Sequence, residues 1–543
     1  MMRYCLLLLS GLAFLHQSTA ASDVDLDIVT KIRDEGFNRS EVMNTLSHLS
    51  DTIGPRLTGS PALLEANEWT RDKLTEWGLA NARLEGFEFG RGWSANRVEV
   101  FMTSPRTTQL YAQPVAWLPG TAGLVEGEAI YAPMKTKDDF GAFKGKLKGK
   151  VVFISEMPEQ QEPNNRRFIR YDENELEAKN QYTIPLKDQA KDFEEMFFKI
   201  ITFEKALDQF LKDEGALALV RRPWRNAMLH GATGYQYRPE YPATIPGISL
   251  VAEHYDRAVR LMNKKQTVSL SLNVDVTFHE EDTKSYNTIA EIPGQGRNPE
   301  IVMAGGHLDS WFAGDGAVDN GTGIAVVMEA VRILKAIGVK PKRTIRVGLW
   351  GGEEQGLFGS LQHVNNYYVT RPDNTDENRK YAAPMFGQFF GGYPLKPKKD
   401  FERFSMYVGF DNGSGKIRGI YAEENAAAAA IFKEWLVPFH DLGATTVSMN
   451  KTQATDHVAF SQVGLPGFQF IQDPLDYGAR LHHTQMDVLS HAYEKDLKQA
   501  SVIIASFLYN AAMRDERMPR KPLPTGPADF SKDYDKTDKE DDQ

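Results

Sequence analysis

From Pro293-Gly294 to about residue 513 the chain alternates strand-like and helix-like segments, and this alternation constrains its fold most tightly. Glu300–Ala304 reads as a buried strand. Gly323–Ile337 reads as a helix with Ile324, Val327, Ala330, Val331 and Leu334 on its apolar face. Arg343–Trp350, Ser405–Phe410 and Leu465–Ile471 read as further strands, Ala426–Leu436 and Glu494–Met513 as further helices. Parallel strands need crossover connections, and helices supply them. The pattern therefore predicts an α/β fold with a mostly parallel mixed sheet flanked by helices.

Upstream, residues 41–80 read as helix, interrupted at Gly54-Pro55 and restarted at Ser60-Pro61. From about 95 to 285 the pattern changes to short strands punctuated by Gly and Pro, with a helix near 193–213. Residues 156–195 are polar and weakly periodic, so they read as an excursion from that region. The segment after Arg514, rich in Pro, Lys and Asp, is expected to be disordered.

The first twenty residues read as a leader. Arg3 precedes an apolar run from Tyr4 to Leu15, and Ser18-Thr19-Ala20 offers small residues for cleavage. That run is short for a membrane span of about 20 residues, so export with cleavage near Ala20 is expected, to the periplasm or outside the cell. The single cysteine, Cys5, would leave with the leader, and the mature chain would then hold any metal with His, Asp and Glu alone. Acidic residues outnumber basic ones 73 to 63, which argues against a nucleic-acid-coating protein. Assembly as a homodimer is left open.

Ionisable residues gather where the strands of the last third end. His307 and Asp309 follow the first strand, Asp319 precedes the next helix, and Glu353-Glu354 follow the second strand. Asp411 follows the third, and His482-His483 with Asp487 come after the fourth. Ligands of open α/β sheets collect outside the carboxyl ends of the strands. Singly, each residue has a plain alternative: a satisfied histidine, a helix-start charge, a solvated pair, a turn. Together at one sheet edge they indicate a site. No G-x-S-x-G elbow is present, and Gly415-Lys416 is followed by Ile417 where a P-loop needs Ser or Thr.

The segments GGHLDSW, VDNGTG, WGGEEQGLFGS, strand-end Asp411 and HHTQMD, with DTIGPRLTGS at 51–60, resemble the M28 zinc aminopeptidase family. Within it they are most similar to the plasma glutamate carboxypeptidase-type dipeptidases. The resemblance implies a zinc exopeptidase fold interrupted by a protease-associated domain. The expected organisation is a leader over 1–20, the first part of the peptidase domain over 21–110 and the inserted domain over 111–285. The catalytic part then spans 286–514 and a charged tail 515–543. It also implies peptide substrates and two Zn2+ ions, whose donors could equally take another divalent metal such as Co or Mn, bridged by Asp319, with His307 and Asp411 completing one ion and Glu354 and His483 the other. Glu353 becomes the general base for a metal-bridged hydroxide. Asp309 is implied to orient the ligand imidazole of His307, Asp487 to do the same for His483, and His482 to donate to the substrate carbonyl. Thr455-Asp456-His457 is similar to a recurrent family segment and reads as structural support. A glutaminyl-cyclase-like enzyme or a non-catalytic binding protein on the same frame is the alternative.

Overall fold

The computed structural model describes residues 24–159, 166–183, 190–241, 244–297, 299–372, 392–452 and 455–526. The expected leader lies outside them. Two eight-stranded sheets organise these residues. The first runs in the order Ala80–Glu88, Lys284–Ile292, Thr344–Trp350, Ile301–His307, Phe404–Gly409, Gly467–Gln472, Ile417–Tyr421, Thr446–Ser448. Its four central strands, from Thr344–Trp350 to Gly467–Gln472, are parallel, and the strand next to them on either side is antiparallel. The mixed, mostly parallel α/β sheet is as expected.

Both faces of the central strands are covered, which is why they read as continuous apolar runs rather than alternating ones. On Ile301–His307, Val302 and Ala304 face one core with the helices Leu26–Asn38, Thr322–Ala336 and Glu494–Met513. Ile301 and Met303 face a second core with Phe358–Tyr367 and Phe460. The helix break at Gly54 appears as a π-helical turn over His48–Ile53, closed by Gly54 at φ 81°. The restart is capped by Ser60, whose side chain accepts from Leu63 N, with Pro61 in the first turn.

The second sheet runs in the order Thr108–Leu110, Gly92–Ser104, Ser269–His279, Val125–Tyr131, Lys150–Phe153, Ala218–Arg221, Gly247–Leu250, Ala112–Pro114. Its first two strands in the chain, Gly92–Ser104 and Thr108–Leu110, lie upstream of residue 111. Gly92–Ser104 pairs with Ser269–His279 over its whole length, so sheet hydrogen bonding commits it to the second unit. An aromatic cluster joins the two units: Phe89, Trp93, Trp117 and Tyr237 pack with Leu57 and Phe358. Phe89 stacks on Tyr237 at 4.4 Å, and Trp117 Nε1 donates to Arg91 O. The polar excursion also reaches across, since Ile169 bridges Leu475 and Arg170 pairs with Asp473 and Asp496.

The tail departs from expectation over 515–526. Met518 is buried in the first core, Arg520 Nη2 donates to Phe401 O, and Lys521 Nζ donates to Glu423 O. Composition averaged over the segment hides these few anchors; residues 527–543 lie outside the described ones. Among the described residues, no helix is long and apolar enough to cross a membrane.

Candidate metal centre

The carboxyl ends of the four parallel strands open on one edge, and the residues implicated from the sequence converge there. His307 is the last residue of its strand. Asp411 lies two residues beyond Phe404–Gly409, and Glu353 and Glu354 lie just beyond Thr344–Trp350. Asp319 sits in the turn Ala317–Gly321 that feeds the helix Thr322–Ala336, and His483 in the loop after Gly467–Gln472. Gly352, at φ 72°, takes the left-handed turn that brings Glu353 back over the strand end, and a Cβ there would lie 2.9 Å from Phe358 Cβ.

Asp319 is central. Its Oδ1 lies 3.4 Å from His307 Nε2 and its Oδ2 3.3 Å from His483 Nε2. His307 Nε2 is also 3.3 Å from Asp411 Oδ1, and His483 Nε2 is 2.9 Å from Glu354 Oε2. One carboxylate thus spans two His–carboxylate pairs, one on each oxygen. The His482 and His483 rings lie tilted against each other with centroids 3.7 Å apart, and His482 Nε2 stands 3.8 Å from Asp319 Oδ2. Glu353 is on the same edge without a direct contact to these imidazoles among those described.

The supporting carboxylates hold backbone amides of the site. His307 Nδ1 meets the backbone carbonyl of Asp309 at 2.9 Å, while the Asp309 carboxylate is 3.7 Å away. That carboxylate instead accepts from Glu353 N and Glu354 N, at 3.2 Å each, and from Thr58 Oγ1 at 3.0 Å. The Asp487 carboxylate, expected near His483, accepts from Val318 N and Asp319 N. Each acid thus fixes the backbone that carries a site residue, because the exposed amides of a tight turn are the nearest donors. Asp456 is buried, and neither carboxylate oxygen has a hydrogen-bond partner among the described residues; His457 Nε2 meets Thr452 O at 3.0 Å.

Three further residues belong to the site and were not anticipated. Arg56 is fully buried and donates to the carbonyls of Leu308, Leu49, Gly54, Asp315 and Gly316, which ties the N-terminal segment to the loop after His307. The Tyr477 ring lies tilted beside His482 at 5.0 Å, and Trp311 lies 6.0 Å from the His483 ring. His483 itself has φ 60°, rare for a residue other than glycine. The second unit holds it there: Ala232 N donates to His483 O at 2.9 Å, and Gly231 bridges Thr484.

The donor set fits zinc. Two imidazoles and three carboxylates point at one another, and Asp319 Oδ2 and Glu354 Oε1 are buried without a hydrogen-bond partner among the described residues. Such a density of buried acid needs a cation. Without one, burial pushes the carboxyls of Glu353, Glu354, Asp309 and Asp487 up, and Asp456 up to about 8. His307 is pushed up against the effect of burial, by Asp411 and Glu353. Burial and the adjacent His483 push His482 down to about 4.

These shifts set a pH dependence. An acid whose folded pKa exceeds its unfolded value of about 4 keeps a proton that the unfolded chain has lost, so stability falls as pH rises through that interval. A raised His307 acts in the same direction: its contribution is complete below about 6.5 and is lost as pH rises through the folded value. Asp319, held low by His307, His483 and His482 despite its burial, acts oppositely only in strong acid. Bound zinc favours the ionised carboxylates and neutral imidazoles. The gain in Tm on adding zinc to chelator-treated protein should therefore be larger near about pH 8 than near about pH 6. An equal or smaller gain would contradict this electrostatic picture.

Residues 287–508 match the family described as Peptidase family M28. Carboxypeptidase Q from Mus musculus is 25% identical over 506 residues, covering 93% of this chain and 91% of that protein. A solved peptidase M28 precursor from Shewanella amazonensis superposes with a TM-score of 0.64 at 22% identity, covering 92% of this chain and 98% of the other. A zinc aminopeptidase from Bacillus subtilis superposes with a TM-score of 0.55 at 19% identity, covering 88% and 95%.

Proposed function

Because residues 287–508 form a peptidase family M28 domain, we propose that this protein is an exported dizinc exopeptidase. It would cleave peptide bonds next to the N-terminus of a peptide or within a dipeptide. The observation that supports this best is Asp319 standing between two imidazoles, each paired with its own further carboxylate. Under this reading His307, Asp319 and Asp411 hold one zinc, and Asp319, Glu354 and His483 the other. Bound zinc would polarise the scissile carbonyl and acidify a water molecule.

The chain's own residues do the rest. Glu353 takes a proton from the attacking water at its carboxylate and hands it to the leaving amine. Asp309 sets the position of Glu353 and Glu354 together, by holding both of their backbone amides on one carboxylate. His482, neutral at physiological pH, can donate a ring N–H to the substrate carbonyl oxygen. The apolar run and small-residue site over 1–20 support export.

Zinc-loaded protein is expected to release free amino acids from a dipeptide panel, to lose that activity with a chelator and to regain it with zinc. Cyclisation of N-terminal glutamine without peptide hydrolysis, or binding without turnover, would replace this reading with one of the alternatives.

A further inference from the structure

The loop carrying His482 and His483 pairs with residues 227–232 of the second unit, which follow the strand Ala218–Arg221. Gly231 bridges Thr484 in the antiparallel sense, and Ala232 N donates to His483 O. Gln485 extends this pairing with its side chain. His230 N donates to Gln485 Oε1 at 2.7 Å, and Gln485 Nε2 donates to Met228 O at 3.0 Å. A carboxamide carries the same donor and acceptor as a peptide unit, so Gln485 adds one more rung. The segment that receives it is itself anchored. Ala227 and Met228 take left-handed backbone, at φ 63° and 59°, and Glu253 accepts from their amides at 2.6 and 3.0 Å. Glu253 belongs to the helix Ala252–Asn263, which packs through Tyr255, Ala258 and Val259 on the core of the second sheet.

The two halves of the metal centre are therefore supported differently. His307 ends a central strand, and Gln469 Nε2, on the neighbouring strand Gly467–Gln472, donates to Asp411 O at 3.0 Å. The catalytic sheet alone holds that half. His483 instead lies in a loop at φ 60°, a conformation that persists only where the surroundings impose it. Among the described residues, the backbone bond that reaches His483 itself comes from Ala232 of the second unit. Gln485, two residues further on, fastens the same loop to the same segment. We propose that Gln485 is a positioning residue, which clamps the His483 loop to the second unit and thereby sets the affinity of the ion held by Glu354 and His483. The ion held by His307 and Asp411 is left to the catalytic sheet. The inference rests on the dizinc reading above.

The test titrates Zn2+ into chelator-treated full-length protein against a competing chelator, so that two binding steps are resolved. The step weakened in Glu354→Gln marks the ion concerned. Gln485→Met, which keeps the length and removes both bonds, should weaken that step by about 10–100-fold and the other by less than about threefold, as for loss of a partner behind one metal ligand. Gln485→Glu keeps only the acceptor for His230 N and should show a smaller loss at the same step; it carries the test if the Met variant fails to fold. With Co2+ in place of zinc, the visible absorption of that step alone should shift in the variants, which a general loosening of the fold would not produce. Both steps unchanged, or both weakened alike, would overturn the proposal. Unaltered protein that binds fewer than two ions would overturn the dizinc reading itself.

Discussion

Glu353→Gln is expected to lower kcat on a cleavable dipeptide by about 10²–10⁴-fold, the usual contribution of a general base, with zinc content and KM little changed. Glutamine keeps the volume and the backbone amide that Asp309 holds, so the turn should persist. Only the basic carboxylate is removed. Glu354→Gln should behave differently, because Glu354 Oε2 stands 2.9 Å from His483 Nε2 and belongs to the proposed ligand set. It should lose zinc as well as rate. Zinc lost from the Glu353 variant and retained by the Glu354 variant would reverse the two roles. Full activity of Glu353→Gln would end the mechanism.

Asp319→Asn should be still more damaging. An amide offers one oxygen and one NH2, so it cannot place an anionic oxygen toward both His307 and His483 as Asp319 does. Activity should fall on the order of 10³–10⁴-fold or more, as for loss of a residue on which the others depend. Metal analysis should show zinc occupancy reduced. The fold should survive, because Asp487 holds residues 318 and 319 by their backbone amides rather than by the side chain. A variant with full zinc and near-normal turnover would remove Asp319 from the bridging position.

Much of this site is legible in the sequence. Strand ends are readable because the central strands are buried on both faces and therefore announce themselves as apolar runs. His307, Asp319, Glu354, Asp411 and His483 sit where those runs stop, and the structure brings them together at one edge. What could not be read is whatever depends on long-range contact. Arg56 reaches five carbonyls from three separate segments, and no local period marks such a residue. The backbone bonds of Asp309 and Asp487 are not legible, because spacing places a carboxylate near a ligand without saying whether imidazole or backbone N–H is its nearer donor. The strand Gly92–Ser104 falls mostly within the region read as short strands from about 95, but its sheet membership depends on a partner about 170 residues away, which no window contains.

The central claim is that one bridging carboxylate supports a pair of zinc ions that together perform peptide hydrolysis. It is tested most directly by titrating zinc into chelator-treated protein while following both bound metal per chain and dipeptide hydrolysis. The account predicts that full activity is reached only when bound zinc reaches two per chain. Full activity at one zinc per chain, or with none, would contradict it.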